Sequence, residues 1–413
     1  MSRLEWGRED SNLRRLSQRV YSPSPLAARE HPHEQADCSL HLVEHFDVAV
    51  VGAGPAGSTT AYRLARAHAR VLLIEKAPFP RDKPCGGGLT MRAVRQLPFS
   101  VEPVVEDRIT RTRCRLKYGP VMERSSEHVL CLMTQRRRLD AFLVEQAAAA
   151  GVDFRDGVRT EVESDRSVRV DGRRVHVDAV VGADGANGVT AKALDLGGGI
   201  VNGVALEGNL PYERLPPDRW RGMLVLELAT LPGGYGWIFP KGDHVNIGVG
   251  GWGSEGPRLR AHLKLLCEHY GISVDELSNL RGHRLPMRRP ETQLARGRAL
   301  VVGDAAGVLD PVSGDGIYEA LVTGKLASEH ILAGTVADYD RAVREHLDPL
   351  SSAGWGAKKA LDRFPRAVFA IMRLPVTWRV LEKLMLGEVA HPGEAKGAGR
   401  TAMRLIEGLA RAA

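Results

Sequence analysis

The chain has 413 residues, of which 43% are hydrophobic and 26% charged, a composition typical of a globular protein with a sizeable core rather than a disordered or membrane-spanning one. The formal net charge is +7, but residues 351–413 alone carry 11 basic and 5 acidic side chains. Because the rest of the chain is close to neutral, we expect no nucleic-acid groove spread over the fold.

The five cysteines are widely spaced, without a CxxC pair or a paired Cys/His spacing, so we expect neither a disulfide framework nor a bound metal. The sequence contains no run of about 18 apolar residues, and its N-terminus lacks an apolar segment followed by a small-residue cleavage site. We therefore expect a protein of the cytoplasm, either free or bound at the inner face of the cell membrane.

The first elements in chain order predict a β-α-β unit. Residues 1–45 show no sustained periodicity and are predicted to be a flexible N-terminal extension. Residues 46–51 form a β-branched run that ends at glycine, a helical pattern covers residues 55–67, and residues 70–75 resume as an apolar strand.

The turn between the first strand and the first helix reads Gly-x-Gly-x-x-Gly. Gly52 permits the tight turn, Gly54 lets the backbone approach a pyrophosphate, and Gly57 lets helix and strand pack closely. Glu75 ends the second strand, where its carboxylate can accept hydrogen bonds from a ribose. The residues predicted to contact a dinucleotide here are Gly52, Gly54, Pro55, Ala56, Gly57, Glu75 and Lys76.

Two later stretches favour FAD as that dinucleotide. Residues 301–307 end a strand with an Asp at the same crevice, and residues 310–316 lead into a second helix. A strand-end Asp can bind a ribityl hydroxyl, and a helix N-terminus can stabilise negative charge on a reduced flavin ring. A nicotinamide cofactor requires neither, so the predicted FAD contacts also include Gly303, Asp304, Gly314 and Gly316.

With these motifs, residues 46–334 resemble the FAD-dependent family that contains aromatic hydroxylases, flavin halogenases and geranylgeranyl reductases. The resemblance implies that Asp184, in the strand-end Gly-Ala-Asp-Gly stretch, and Arg136, which opens Arg-Arg-Arg-Leu-Asp, contact the cofactor. Arg137 and Arg138 are interpreted as a solvated helix face. In hydroxylases a Ser and an Arg follow the Asp-Gly pair, whereas residues 188–192 here read Gly-Val-Thr-Ala-Lys.

Residues 83–90, Lys-Pro-Cys-Gly-Gly-Gly-Leu-Thr, are similar to the KPCGGG segment of geranylgeranyl and menaquinone reductases, where the Cys lies near the flavin. The resemblance implies a catalytic role for Cys85. The alternative is a small buried residue without chemistry.

Residues 235–240 resemble the Y-x-W-x-F-P signature that lines the prenyl tunnel of these reductases, which implies substrate contacts from Tyr235, Trp237, Phe239 and Pro240. On a strand, alternate residues face one side, so the three aromatic residues are predicted to form one wall. Core packing alone would also explain such a strand, and halogenases carry a related W-x-W-x-I-P stretch.

The resulting fold prediction is α/β: a Rossmann-type FAD-binding domain with an inserted antiparallel β-sheet domain that binds the substrate, followed by a C-terminal helical region. Residues 46–98, 131–199 and 283–335 are assigned to the FAD-binding domain, residues 99–130 and 200–282 to the substrate-binding domain, and residues 336–413 to the helical region.

The C-terminal region allows two interpretations. Large apolar residues, a Trp and interspersed Arg and Lys on short helices fit a segment that lies at a membrane surface, here expected within residues 351–413. A helical lid over the substrate tunnel with an ordinary basic outer face fits equally well.

The function implied by the resemblance is FAD-dependent reduction of isolated C=C bonds in a polyprenyl group, on geranylgeranyl diphosphate or lipid or on the side chain of menaquinone. Reduced FAD supplies the hydride. A proton is also needed, and if it adds first, Tyr235 and Trp237 can stabilise the cation, so these two and Cys85 are the candidate catalytic residues.

Two other functions stay open on the sequence alone. The first is a flavin monooxygenase or halogenase acting on an aromatic or polyketide substrate, and the second is a flavin-bearing lipid carrier or electron-transfer partner. The electron donor of the reductase is expected to be NAD(P)H bound transiently or a ferredoxin-like protein, because no second Gly-x-Gly-x-x-Gly lies in a β-α-β setting.

Overall fold

The computed structural model describes residues 44–216 and 218–413. The predicted N-terminal extension therefore lies outside the described residues, apart from its last two. In chain order the strands are β1 (His45–Val51), β2 (Val71–Ile74), β3 (Gly88–Thr90), β4 (Asp107–Ile109), β5 (Arg111–Leu116), β6 (Val121–Ser125), β7 (Cys131–Met133), β8 (Asp153–Arg155), β9 (Thr160–Ser164), β10 (Ser167–Val170), β11 (Arg173–Gly182), β12 (Val201–Pro211), β13 (Met223–Leu228), β14 (Tyr235–Lys241), β15 (His244–Trp252), β16 (Ser278–Met287), β17 (Ala295–Arg296) and β18 (Ala299–Val301).

The helices of the described residues alternate with these strands and then fill the C-terminal quarter of the chain. They are α1 (Pro55–Arg66), α2 (Met91–Val94), α3 (Arg136–Ala149), α4 (Thr190–Ala193), α5 (Leu259–His269), α6 (Ile317–Leu332), α7 (Tyr339–Arg363), α8 (Pro365–Met372), α9 (Pro375–Leu386) and α10 (Gly397–Ala412).

The first sheet has the strand order β17-β18-β11-β1-β2-β8, with β10 and β9 attached to β11. β18, β11, β1, β2 and β8 run parallel to one another, whereas β17 and β10 pair with β18 and β11 in the antiparallel direction. The central strands are apolar runs because both faces are covered. The predicted β-α-β unit is confirmed as β1, α1 and β2. The carboxyl ends of β18, β11, β1 and β2 meet at one edge of the sheet, where a dinucleotide binds in this kind of fold.

Helices α1 and α6 pack against each other unusually closely. A Cβ atom at Gly324 would lie 2.7 Å from the carbonyl oxygen of Ala56, so only glycine fits there. The Thr60 hydroxyl donates a hydrogen bond to the same carbonyl at 2.8 Å. This contact fixes the middle of α6 against the first turn of α1.

The second sheet has the order β16-β12-β15-β14-β13-β5-β6. One face packs against α5, whose Leu263 and Leu266 contact Ile238 and Ile247. The prediction of an antiparallel sheet is wrong at one place, because β13 and β5 run parallel. These two strands come from separate excursions of the chain, and no hairpin between them imposes the antiparallel direction.

Two details differ from the predicted division of the chain. β16 continues to Met287 although the substrate-binding segment was expected to end at residue 282, because this strand itself carries the chain back to the first sheet. In addition, β3, β7 and β4 form a small sheet that joins residues assigned to both domains.

The C-terminal region is helical, as predicted. Pro365 and Pro375 each occupy the first position of a helix, where a missing N–H has no cost. Helix α10 packs on this group through Ala402 and Met403, which contact Val380 of α9. Among the described residues, no helix combines the length and the apolar character needed to cross a membrane.

Candidate functional site

The glycine turn after β1 fits tightly against the neighbouring strand. Gly52 has a φ of +106°, and a Cβ atom there would lie 2.3 Å from the carbonyl oxygen of Ala183. A Cβ atom at Gly57 would lie 1.9 Å from the carbonyl oxygen of Gly52. The first turn of α1 therefore presents its backbone N–H groups at the bottom of an open crevice.

Glu75 is buried at the end of β2 and fastens this turn. Its Oε2 atom accepts hydrogen bonds from the Ala53 N–H at 3.2 Å and from the Arg81 guanidinium at 3.1 Å. Arg81 also donates to Asp140 at 2.8 Å, and Asp140 in turn binds Arg136 through two hydrogen bonds of 2.7 Å. Glu75, Arg81 and Arg136 thus line one wall of the crevice, and Asp140 is buried behind them.

The structure places Arg136 at the start of α3, where it is 4% exposed, with its guanidinium beside Gly54. The adjacent Arg137 and Arg138 are exposed, as interpreted from the sequence. The Asp140 carboxylate, which burial makes costly unless it is paired, orients Arg136 toward the crevice.

Asp184 lies beyond the end of β11, and its two carboxylate oxygens differ in their hydrogen bonds. One oxygen accepts hydrogen bonds from the Val189 N–H and from the N–H and hydroxyl of Thr190, at 2.7 to 2.9 Å. The other oxygen is buried without a hydrogen-bond partner among the described residues. Asp184 therefore holds its own loop with one atom and leaves the second available to a ligand.

Asp304 follows β18 on the same edge. Its carboxylate binds the Lys83 ammonium at 2.7 Å and lies 3.7 Å from His283. Although burial opposes ionisation, the Lys83 ammonium above all, together with the His283 ring, holds the pKa of Asp304 well below its usual range. Asp304 is thus ionised, and Lys83 ties the Cys85 loop to the end of β18.

The aromatic wall predicted on β14 has the expected geometry. Tyr235, Trp237 and Phe239 all line the cavity, with ring centroids 6.1 and 6.3 Å apart. The Trp237 ring extends over Gly248, where a Cβ atom would lie 2.2 Å from Cζ2, and its N–H donates to Asn246 at 2.8 Å. Glycine in β15 therefore makes the space that the indole occupies.

Pro240 does not belong to this wall. It is buried on the opposite face of β14 and pairs with Val245, because successive residues of a strand point to opposite sides. The prediction that Pro240 contacts the substrate is therefore wrong.

Cys85 is half-buried in the loop before β3. Its N–H donates to Glu207 at 2.8 Å, and its carbonyl oxygen accepts a hydrogen bond from the Lys241 ammonium. A Cβ atom at Gly86 would lie 2.9 Å from the Phe239 ring, so this loop rests directly on the aromatic wall. Side chains from β12 and β14 thus fix the backbone on both sides of the thiol.

The turn that leads into β14 is bound to α7. Asp362 accepts hydrogen bonds of 2.8 Å from the Gly233 N–H and from the Trp252 indole N–H. Lys358 donates to the Gly233 carbonyl oxygen and lies 4.4 Å from the centroid of the Trp252 ring. Burial lowers the pKa of Lys358, whereas Asp362 opposes that shift.

One cavity of about 1200 Å³ connects the glycine turn, the strand-end acids Glu75, Asp184 and Asp304, the Cys85 loop and the aromatic wall. One end is the crevice at the glycine turn, and the middle is bounded by the Cys85 loop and the aromatic wall. The other end is apolar and is enclosed by the C-terminal helices, through residues that include Leu361, Val368, Met372, Trp378, Leu381 and Ile406.

The crevice fits a flavin dinucleotide. The glycine turn forms a cradle that any Cβ atom would fill, the unpartnered oxygen of Asp184 points to a missing donor, and Asp304 and Glu75 supply acceptors at neighbouring strand ends. Gly314 and Gly316 place the start of α6 on the same cavity. Twelve of the thirteen residues predicted to contact the cofactor line this cavity, and Gly57 lies just beneath it.

A family profile for an FAD binding domain matches residues 45–204. The menaquinone reductase of Mycolicibacterium smegmatis is 34% identical over 386 residues, which cover 83% of this chain and 93% of that protein. The chain belongs to the geranylgeranyl reductase family. A geranylgeranyl diphosphate reductase of Rhodobacter capsulatus is 32% identical over 305 residues, which cover 70% of this chain and 75% of the relative.

Solved structures of other flavoproteins share this fold. The crystal structure of a geranylgeranyl bacteriochlorophyll reductase-like protein from Thermoplasma acidophilum matches with a TM-score of 0.66 and 23% identity, over 89% of this chain and 100% of that one. A flavin-dependent brominase has the fold too, so the fold alone does not decide the reaction. The family and the profile establish an FAD-dependent oxidoreductase with FAD as its cofactor.

Several charged residues of the cavity carry no motif and were missed from the sequence. Glu207 lies in β12, where Gly203 and Ala205 are the other residues that face the cavity. A single acidic residue among such small ones was the feature of the sequence that could have identified it as a site residue. Lys358 and Arg92 had no such signal, because each becomes a cavity residue only through contacts between distant parts of the chain.

Proposed function

We propose that the protein hydrogenates isolated C=C bonds of a polyprenyl group, either on geranylgeranyl diphosphate or lipid or on the side chain of menaquinone. The observation that carries this proposal is the continuity of the cavity, which runs from the flavin crevice past the aromatic wall into an apolar end between the C-terminal helices. A long, flexible hydrocarbon chain fits such a space, since apolar walls favour its burial.

The chain's own residues would position an alkene and exclude water from it. Leu224, Leu226 and Leu228 alternate on β13 beside the aromatic wall and complete its apolar surface. The faces of Tyr235 and Trp237 can stabilise positive charge on the prenyl chain. FAD, once reduced, supplies the hydride. Burial and the nearby Asp310 and Asp315 raise the pKa of Tyr235, which keeps its hydroxyl protonated.

The relatives' reactions support this reading over the alternative of a flavin monooxygenase or halogenase. The experiment is anaerobic incubation of the flavin-loaded protein with a chemical reductant and either menaquinone or geranylgeranyl diphosphate, followed by mass spectrometry. We expect a gain of two hydrogen atoms per reduced bond without oxygen. Product that forms only when oxygen is admitted would contradict the proposal and favour the oxygen-dependent class, and bound lipid without product would indicate a carrier.

The Cys85→Ala variant tests the catalytic role proposed for the thiol. We expect the variant to bind FAD normally, because the neighbouring contacts to Glu207 and Lys241 come from the backbone of residue 85. Turnover of the prenyl substrate should fall at least about tenfold, which corresponds to about 1.4 kcal/mol in the activation barrier. Turnover at the wild-type rate would show that Cys85 is only a small packing residue.

Electrons would reach the flavin from outside the chain, from NAD(P)H bound transiently or from a ferredoxin-like protein. The Gly-x-Gly-x-x-Gly turn of the β-α-β unit lines the flavin crevice, and among the described residues no second such turn opens a helix of a β-α-β unit. This supports a donor without a dedicated domain. The experiment adds NADPH, NADH or a reduced ferredoxin to the flavin-loaded protein without oxygen. The compound that bleaches the flavin absorbance is the electron donor.

We also propose that the protein works in the cytoplasm at the inner face of the cell membrane, through the C-terminal helices. Leu374, between α8 and α9, and Leu405, on α10, are 43% and 52% exposed, and the adjacent Arg373 and Arg404 are exposed as well. Exposed leucines flanked by cationic side chains are typical of a helix group that rests on anionic lipid. The apolar end of the cavity lies between these same helices.

The double variant Leu374→Glu/Leu405→Glu should weaken binding to vesicles of phosphatidylcholine and phosphatidylglycerol in a co-sedimentation assay. Two carboxylates would replace apolar contacts and repel the anionic surface. The matched control is Leu265→Glu on α5, which is also 43% exposed but lies behind the second sheet. Equal sedimentation of the double variant and the control would remove the membrane proposal.

A further inference from the structure

Two buried charged side chains, Arg92 and Glu319, meet the half-buried Asp315 where α2 contacts the start of α6. Arg92 and Glu319 are only 8% and 2% exposed. The Arg92 Nη2 atom lies 3.5 Å from a carboxylate oxygen of Asp315 and 3.8 Å from one of Glu319, so both acids converge on one nitrogen. The guanidinium also lies 4.3 Å from the centroid of the Tyr318 ring.

This cluster has an excess of polar atoms without hydrogen-bond partners among the described residues. They are Nε and Nη1 of Arg92, Oδ2 of Asp315, both carboxylate oxygens of Glu319 and the hydroxyl of Thr90. Buried polar groups are normally satisfied by protein or by ordered water. So many in one place indicate a polar space in which water can bridge the carboxylates and the guanidinium.

The cluster adjoins the cavity beside a residue already placed in the aromatic wall. Thr90, Arg92 and Asp315 line the cavity, and Glu319 lies behind them in the first turn of α6. The Tyr235 hydroxyl donates to the Ser313 carbonyl oxygen in the same loop. A proton leaving Glu319 would therefore pass Asp315 to reach the space in front of Tyr235.

Burial raises the pKa of Glu319 well above its ordinary value, and the Asp315 charge acts in the same direction. The charged and titratable groups that act on it are Arg92 from α2, Asp310 and Asp315 from the loop, and Tyr318 from α6 itself. The positive charge of Arg92 opposes the shift without removing it. Two acids beside one cation can keep one proton and remain neutral as a group.

We propose that Arg92, Asp315 and Glu319 form a buried proton store that delivers the proton of the hydrogenation reaction into the cavity. This inference rests on the proposed function. In the step, the π bond breaks and two C–H bonds form, one from the hydride of a reduced flavin and one from the proton. The O–H bond of Glu319 breaks and its electron pair stays on the carboxylate, so the cluster of two carboxylates and Arg92 carries one net negative charge until solvent returns the proton.

The first arm of the test needs neither flavin nor substrate. The unfolded chain loses the Glu319 proton near the ordinary value of 4.5, whereas the folded protein keeps it to higher pH. Between those two pKa values the folded state binds more protons, so its stability falls as pH rises. The Tm of the wild type should therefore fall relative to that of Glu319→Gln as pH rises from about 5 to about 8.

The second arm measures single-turnover hydrogenation by the pre-reduced, FAD-loaded protein across the same pH range. Glu319→Gln should lose at least about tenfold in rate, and Glu319→Asp should restore part of it. The control is Glu227→Gln: Glu227 is also fully buried with a raised pKa, from burial above all, but it lies on the face of the second sheet away from the cavity, bound to Tyr270. The Glu227→Gln variant should alter the pH dependence of the Tm but not the hydrogenation rate.

A wild-type rate in Glu319→Gln at every pH would overturn the delivery of the proton by this cluster. A Tm difference that does not change with pH would overturn the storage of a proton on Glu319. If Glu319→Gln does not fold, the Asp315→Asn variant is used in both arms. Its side-chain oxygen can still accept the hydrogen bond from the Ile317 N–H at the start of α6. Absence of hydrogenated product with the wild type would instead overturn the proposed function, and the Tm arm would still decide whether the proton is stored.

Discussion

Replacing Gly57 by alanine is expected to leave a folded protein that has lost its flavin. The new Cβ atom would lie 1.9 Å from the Gly52 carbonyl oxygen and 3.0 Å from the Cβ atom of Ala183. Both neighbours belong to the packed turn and the adjoining strand end, so the start of α1 must move away from the crevice. The backbone N–H groups that bind a pyrophosphate then point elsewhere.

We expect FAD affinity to fall by at least about 100-fold, or about 2.7 kcal/mol, measured by flavin fluorescence, and the purified variant to be colourless. The control is Gly256→Ala, since Gly256 is exposed and a Cβ atom there meets nothing within 4 Å. A yellow Gly57→Ala protein with one flavin per chain would show that the turn does not hold the cofactor.

The second large effect is expected at the aromatic wall. Gly248→Ala would place a methyl group 2.2 Å from the Trp237 ring, which is buried and bound to Asn246 and so has little room to shift. The variant would displace the indole without changing its chemistry, whereas Trp237→Leu removes it. If a well-placed ring contributes about 1 to 2 kcal/mol, each variant should slow hydrogenation about tenfold.

Flavin content should stay normal in both variants, because β14 and β15 do not form the glycine turn. The matched glycine is Gly282 of β16, where the nearest neighbour of a Cβ atom is the Ala205 carbonyl oxygen at 3.5 Å, an ordinary contact. Hydrogenation by Gly248→Ala or Trp237→Leu at the rate of Gly282→Ala would count against cation stabilisation by the indole.

The parts of the molecule that were predictable from the sequence are those in which neighbouring residues decide the outcome. The β-α-β unit, the FAD cofactor and the shared face of Tyr235, Trp237 and Phe239 all follow from local spacing, and the structure or the family confirms them. The same alternation that aligns those rings turns Pro240 away. The motif match groups Pro240 with the three aromatic residues as a substrate contact, whereas strand geometry alone excludes Pro240 from their face.

Other features required contacts between distant segments. The parallel pairing of β13 with β5 joins residues more than a hundred positions apart, and no local pattern encodes its direction. The same is true of Arg92, which reads as an ordinary basic residue of a short helix until α6 brings Asp315 and Glu319 against it. The proton source of the proposed reaction was therefore out of reach of sequence patterns.

The contacts of Asp362 and Lys358 with Gly233 and Trp252 connect the C-terminal helices to the turn before the aromatic wall. If a long hydrocarbon enters by separation of the C-terminal helices from the body of the protein, the movement of α7 would pull on the turn that precedes Tyr235. The aromatic wall can then be in register only when the helices are seated. On the proposed function, we therefore expect the reduced cofactor to meet a complete aromatic wall only once a prenyl chain is enclosed.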